Sequence, residues 1–277
     1  MASALGNAGF ETSIVPIMTS GDRGVVAGPN DVAGVKGLFV AEIIRALQDE
    51  TIDIAVHSAK DLPAGDPDGV VIAAVPRRAP AVDVLVTRDR EPALGATIGT
   101  SSLRRRGQLL RARPELRPVD VRGNVDTRLR KMSEGEVDGL VLAAAGLIRL
   151  GLEPRNQRSF TLEEMIPAPG QGALAVQARA SGSAADALEA IDHRPSHVAL
   201  DAERELMSLL GGGCDLPFGA HARIEDESIL LVGIVLAPDG SEAIRAEATA
   251  ADSVTAAAAV ATKLRDAGAD RILASVG

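Results

Sequence analysis

The sequence predicts an α/β protein of parallel type, closed by a small α+β unit. Three observations predict it. Up to about residue 190, short apolar runs alternate with amphipathic helical patterns. After that the pattern becomes one helix, three alternating strands and a last helix. With 277 residues of which 46% are apolar, the chain can bury two or three separate cores.

In order along the chain, FETSIVPIM (10–18) reads as a strand and GLFVAEIIRALQDE (37–50) as a helix. Phe39, Ile43, Ala46 and Leu47 share one face of that helix. TIDIAVHS (51–58), VVIAAVP (70–76), VDVLVT (82–87) and ATIGTS (96–101) read as strands. SLRRRGQLLRARP (102–114) is a helix with Ser102 as N-cap, and it stops before Pro114. LRPVDVRG (116–123) is a strand, and Asn124 caps a helix running to about Glu134. GLVLAAAG (139–146) is a strand that enters a short helical turn. PAPGQGAL (167–174), rich in Pro and Gly between two apolar segments, is a loop or crossover and a plausible hinge. SHVALDAERELMSLL (196–210) is a helix started after Pro195 and ended by glycines. Strands near 219–224, 228–237 and 242–250 follow, with an APDG turn, and TAAAAVATKLRDAG (255–268) is the closing helix.

Composition removes several function classes. There is no Trp or Tyr, and the only Phe residues are Phe10, Phe39, Phe160 and Phe218, so base-stacking platforms are missing. A net charge of −9 argues further against a nucleic-acid partner. No apolar run approaches the length of a membrane-spanning helix. MASALGNAGFET does not read as a signal peptide, and with one cysteine the expected location is a reducing cytoplasm. His193 and His197 are separated by Pro195, and no HExxH or Cys/His spacing occurs, so no metal is expected. No GxGxxG follows a strand, and neither a Walker A loop nor a GxSxG is present.

Positive charge is concentrated. Residues 104–130 hold nine arginines. Arg111, Arg113 and Arg130 fit a solvated helix face. Arg104 and Arg105 follow IGTSS, where a strand gives way to a helix whose free N–H groups attract anions. Arg122 ends the next strand beside Gly123, where backbone can approach a ligand closely, and Arg128 lies one turn into the next helix. Strand carboxyl ends form the binding crevice of an open α/β sheet. Arginines gathered there predict a ligand with several carboxylates or phosphates. HSAKDLP (57–63) ends another strand, so His57, Ser58, Lys60 and Asp61 reach the same crevice. Asp61 is either a general acid or base facing a cationic substrate or the cap of the next turn. Lys36 is a further anion contact or simply exposed, and Gln171 is within reach of a ligand. Cys214 lies behind three glycines in LLGGGCDLPF. It is either a small buried hydrophobe or a mobile thiol that makes one lasting bond to a carbon electrophile. A helix C-terminus gives no help in lowering its pKa.

Taken together, KGLF, AVHSAKDLP, IGTSSLRRR, VRGNVDTRLRK, LAAAGLIRLG, PAPGQGALAVQAR and LLGGGCDLPFGAHA resemble the motifs of the porphobilinogen deaminase (hydroxymethylbilane synthase) family, in its order, from about residue 10 to the end. The resemblance implies two α/β domains like those of periplasmic binding proteins, joined by a double hinge, plus a small C-terminal α+β domain. The implied bounds are 1–80 with 172–190, then 83–168, then 194–277. It implies a transferase of tetrapyrrole biosynthesis that holds a dipyrromethane cofactor on Cys214 through a thioether. Four porphobilinogen units are added, each losing ammonia, and hydroxymethylbilane is released by hydrolysis. By the same resemblance Asp61 is catalytic, and Ser58, Lys60, Arg104, Arg105, Arg122, Arg128 and Arg149 hold acetate and propionate groups. Lys36, Phe39, Ser101, Ser102, Gly123 and Gln171 are further cleft positions. The expected partner is porphobilinogen alone, with no nucleic acid and no membrane, and the protein is expected to be a monomer. The family's opening strand and helix, with an RIGTRGSxLALxQ-like segment, are expected ahead of Met1. The first domain is therefore expected to lack them and to be less stable than a version that carries them. A carboxylate-binding module, an impaired relative of the same shape, is the alternative; it explains the arginines but not Asp61 together with Cys214.

Overall fold

The computed structural model describes residues 1–17, 34–89, 91–181, 183–212 and 216–276, with the side chains at 34–39, 183 and 186 also outside the description. Three sheets organise the described residues, each with its own apolar clusters. The first sheet has the order β1 (Ile54–Ser58), β8 (Leu174–Arg179), β2 (Val70–Ala74). Helix α2 (Gly34–Gln48) covers one face, packing Val40, Ile44 and Leu47 on Ala55, Val70 and Ile72. Leu5 of α1 (Ala2–Asn7) and Leu188 of α6 (Ser183–Leu188) cover the other.

The second sheet has the order β5 (Arg117–Val119), β4 (Thr97–Gly99), β6 (Gly139–Ala143), β3 (Asp83–Thr87), β7 (Gln157–Ser159). Side chains alternate across β3 and β6 with the period of a strand. Val84, Val86, Leu140 and Leu142 join a cluster with Leu129 of α4 (Val125–Ser133) and Leu147 of α5 (Ala144–Leu150). Leu85 and Val141 face the other way, onto Leu109 of α3 (Leu103–Ala112) and Phe160. The two caps expected from sequence form: Ser102 accepts from the Arg105 N–H, and Asn124 Oδ1 from the Thr127 N–H at 2.9 Å.

The third unit is an antiparallel meander of β9 (Phe218–Glu225), β10 (Ser228–Leu236) and β11 (Ala243–Ala250). It packs on α7 (Arg194–Leu209), α8 (Ser253–Asp266) and α9 (Ala269–Ala274). Pro195 lies in the first turn of α7, where its missing N–H costs nothing. Leu200 of α7 is buried in the cluster of the first sheet, whereas Ala199, Ala202, Leu206 and Met207 are buried in the third, so this helix serves two cores.

Two expectations are corrected. The sheets are not parallel: the second is mixed, with β3 antiparallel to β6 but β4 parallel to β5 and β6, and in the first β8 runs antiparallel to both its neighbours. The chain leaves the first sheet through residues 75–82 and returns through 166–173, so β3 and β8 each enter their new sheet from the opposite end. The strand expected at 10–18 is also not formed: residues 10–17 have no regular structure, and residue 18 lies outside the description. A strand needs a ladder, Pro16 has no N–H to give one, and Ile14 is 85% exposed.

Candidate active site

The two crossings lie side by side. The Ala79 N–H donates to the Gly172 carbonyl at 3.1 Å. Gly172 has φ +85°, and a Cβ there would come within 2.4 Å of the Ala79 oxygen. Gly170, at φ +70°, lies against the backbone of Ala59 and Lys60, which a Cβ would meet at 2.9–3.0 Å. Only glycine allows both the backbone angle and this approach. The approach brings the second crossing onto the short 3-10 turn Ala59–Asp61 that follows β1. Ser58, Lys60 and Asp61 are each half-buried there.

From Gly170 the next residue leads to the arginines. Gln171 is buried, and its amide donates to Asp83 Oδ1 at 2.9 Å and to the Ala81 carbonyl. Asp83 opens β3 and is 0% exposed. Arg104 Nη1 reaches its Oδ2 at 2.7 Å and the Ile166 carbonyl at 2.7 Å. Arg105 donates to Oδ1 through Nε at 3.0 Å and Nη2 at 2.8 Å, and to the Val141 carbonyl at 3.0 Å. Arg104 and Arg105 are only 3% and 7% exposed. Burial opposes ionisation of Asp83, but the two guanidiniums outweigh it and hold its pKa down to about 2.

The charges do not balance. Two buried guanidiniums face one buried carboxylate, and among the described residues no second carboxylate bonds to either. A buried net charge is costly unless something pairs with it. Arg128 adds to the excess: burial, and then the like charge of Arg105, lower its pKa. Its Nε donates to the Gly123 carbonyl at 2.7 Å. Arg149, also lowered by burial, donates to the Gly172 carbonyl at 2.8 Å, beside Gln171. Arg122 and Ser101 are exposed, and the Ser101 hydroxyl donates to the Val121 carbonyl at 3.0 Å.

The structure thus joins Arg104, Arg105 and Gln171 through Asp83, puts Arg149 on the Gly172 carbonyl next in sequence to Gln171, and sets Arg128 where it feels the charge of Arg105, with the Asp61 turn abutting Gly170. It ties Ser102 to the cap of α3. Cys214 lies outside the described residues. Lys36 and Phe39 lie in α2, but their side chains are outside the description. Three residues that organise the site were not singled out from sequence. Asp83 was signalled only as a lone acid in the apolar run VDVLVT. Glu203 and Arg78 form a second buried pair, in which the Arg78 guanidinium grips both Glu203 oxygens at 2.7 and 3.0 Å. The signal for Glu203 was an acid on the apolar face of a helix, three residues from both Leu200 and Leu206. His57, buried next to the Asp61 turn, has its pKa lowered by burial against the pull of the Asp61 charge.

These features define a class: a mixed α/β protein with arginines gathered at strand ends, next to a half-buried aspartate. Comparison with known proteins gives the family. The model for the porphobilinogen deaminase dipyromethane cofactor binding domain matches residues 1–187, and that for the porphobilinogen deaminase C-terminal domain matches 198–267. A porphobilinogen deaminase of Brevibacillus brevis is 44% identical over 94% of this chain and 86% of its own length. Those of Desulforudis audaxviator and Thermus thermophilus are each 48% identical, over 88% and 86% of this chain and 81% and 79% of theirs. Among solved structures, a putative methionine-binding lipoprotein of Bacillus subtilis overlaps loosely. Its TM-score is 0.36 at 14% identity, covering 55% of this chain and 75% of that one. The chain belongs to the porphobilinogen deaminase family.

Proposed function

We propose that, in the porphobilinogen deaminase reaction this chain catalyses, Asp61 handles protons and the arginine array holds substrate carboxylates. The observation that carries this reading is the buried charge excess around Asp83. Porphobilinogen bears an acetate and a propionate, and every further pyrrole unit brings two more carboxylates. An array that leaves positive charge uncompensated among the described residues suits such a ligand.

The division of labour follows from position. Arg104 and Arg105 are fixed by Asp83, so they act as a pre-set positive field and need no reorganisation when ligand arrives. Arg122, Arg128 and Arg149 are more accessible and grip carboxylates directly, with Ser101, Ser102, Lys36 and Lys60 as further donors. Gly123 lets backbone come close, and Gln171 fixes Asp83. The Asp61 carboxylate accepts from pyrrole N–H groups and stabilises the positive charge that develops as the amine departs as ammonia. By the family resemblance Ser58 is a further donor to carboxylates and Phe39 a further cleft position.

The donor set fits a dipyrromethane, whose four carboxylates match an arginine-rich array and whose pyrrole N–H groups match one carboxylate. Bound through Cys214, it supplies the pyrrole carbon that accepts the incoming unit. The reading keeps domain bounds of 1–80 with 172–190, 83–168 and 194–277, and the grouping of the described strands into three sheets supports it. A monomer acting in the cytoplasm on porphobilinogen alone is the simplest setting. No helix among the described residues is long and apolar enough to cross a membrane.

The test is an intact mass of the purified protein, an aldehyde colour reaction for pyrroles, and porphobilinogen consumption. An adduct of dipyrromethane mass that is absent from Cys214→Ser, together with substrate consumption, supports the reading. An unmodified protein that leaves porphobilinogen untouched overturns it.

A further inference from the structure

The loop that follows Asp61 is fastened to helix α7 by a clamp that the carboxylate-binding array does not use. Arg204, in α7, is 9% exposed. Its Nη2 donates to Asp66 Oδ1 at 2.8 Å and to the Pro63 carbonyl at 3.1 Å, while Nη1 reaches Asp66 Oδ2 at 3.2 Å. Gln177 of β8, itself buried, donates to the same Asp66 Oδ1 at 3.1 Å. The loop is thus gripped at two points, Pro63 and Asp66, by one planar guanidinium, a geometry lysine cannot reproduce.

The same loop straddles two cores. Leu62 is buried in the cluster of the first sheet, and Ala64 packs on the cluster of the C-terminal unit. Where α7 ends, the chain turns through Gly211 and Gly212, and a Cβ on Gly212 would meet the Ala64 side chain at 3.0 Å. One face of the loop 62–66 therefore continues into the Asp61 turn. Its other face abuts the chain two residues before Cys214.

We propose that Arg204 and Asp66 are positioning residues for the reaction: their pair sets the placement of Asp61 relative to the C-terminal unit that carries Cys214. This rests on the reading of Asp61 and Cys214 given above. Neither residue touches substrate. An error of about an ångström in the placement of reacting groups costs on the order of a hundredfold in rate, so loosening the clamp is expected to lower kcat by roughly tenfold or more. KM, set by the arginine array, should stay within about twofold, because uniform substrate binding is untouched.

The experiment compares the cofactor-loaded enzyme with Arg204→Gln, Asp66→Asn, the double variant and the charge exchange Arg204→Asp with Asp66→Arg. It reads intact mass, melting temperature, kcat and KM for each. The expected result is a drop in kcat of about tenfold in each single variant with the adduct mass retained, no further drop in the double variant, and partial recovery in the exchange. Where Arg204→Gln yields no folded protein, Arg204→Lys and Asp66→Asn carry the same expectation. Folded, loaded variants with wild-type kcat overturn the proposal, as do losses that multiply in the double variant. If wild type shows neither adduct nor turnover, it is the functional reading that fails, a result separable from either.

Discussion

Among the described residues, two buried carboxylates have arginine partners, and they differ in charge balance. Asp83 and Glu203 are each 0% exposed, and each is held to a pKa of about 2. Burial opposes the charge in both cases. Arg104 and Arg105 overcome it at Asp83, and Arg78 with His221 overcomes it at Glu203. Glu203 has one arginine and two backbone donors: the Gly170 N–H at 2.6 Å and the Ala222 N–H at 2.7 Å. Its guanidinium partner is matched one to one, and its donors come from the first crossing, the second crossing and β9. It is a pin through the junction. Asp83 has two arginines and is outnumbered. The balanced pair holds the parts of the chain together, and the unbalanced one leaves positive charge over among the described residues. Gln171 splices the two: its carbonyl accepts from Arg78 Nε at 2.8 Å, and its side chain donates to Asp83.

The largest expected effect falls on the pin. Glu203→Ala leaves Arg78 buried without its carboxylate and orphans two backbone N–H groups. The loss is about 5 kcal/mol, the top of the range for breaking a buried pair, and urea unfolding at neutral pH measures it. Asp83→Asn keeps one acceptor and is expected to cost about 3 kcal/mol. The comparison becomes sharp when citrate is added: an anion should raise the melting temperature of Asp83→Asn, which has gained unpaired buried positive charge, by more than that of Glu203→Ala, whose array keeps its wild-type charge. Equal responses would erase the distinction between the two clusters.

Acid tests both at once. Each carboxylate has a depressed pKa in the folded state, so its stabilisation is complete above its unfolded value near 4. It is lost as pH falls toward 2, about 2–3 kcal/mol for each group. Stability measured between pH 5 and pH 2 should fall in the wild type and fall less in either variant. The smallest effect is confined to the site. Asn124→Ala removes the cap of α4, which carries Arg128, and is expected to cost about 1 kcal/mol. It should weaken substrate binding without touching the junction, visible as a raised KM in a protein that still melts cooperatively.

Local chemistry was legible in the sequence. Ser102 and Asn124 cap the helices they were expected to cap, and the strand-to-helix junctions that place Arg104, Arg105 and Arg128 were readable from IGTSSLRRR and VRGN. Long-range pairing was not. The bond from Arg105 to Asp83 spans 22 positions and that from Arg78 to Glu203 spans 125, and nothing local to an acid in an apolar run names its partner. Strand β8 escaped because both of its faces are covered, so it shows no alternation to read. The segment 10–18 failed in the opposite way: it has strand composition, but residues 10–17 form no ladder. Arg104 and Arg105 were expected to hold acetate and propionate groups, and nothing near them in the sequence announced that both would be buried on Asp83.

The account's central claim is that the arginine array holds pyrrole carboxylates while Asp61 performs the proton chemistry beside it. Asp61→Asn separates the two parts. Its intact mass and its porphobilinogen turnover, measured on one preparation next to wild type, test the claim most directly. The account predicts a protein that still carries its Cys214-linked adduct, at least in part, and consumes porphobilinogen at least about a hundredfold more slowly, as expected when a general acid–base group is lost. Wild-type turnover in loaded Asp61→Asn would contradict it.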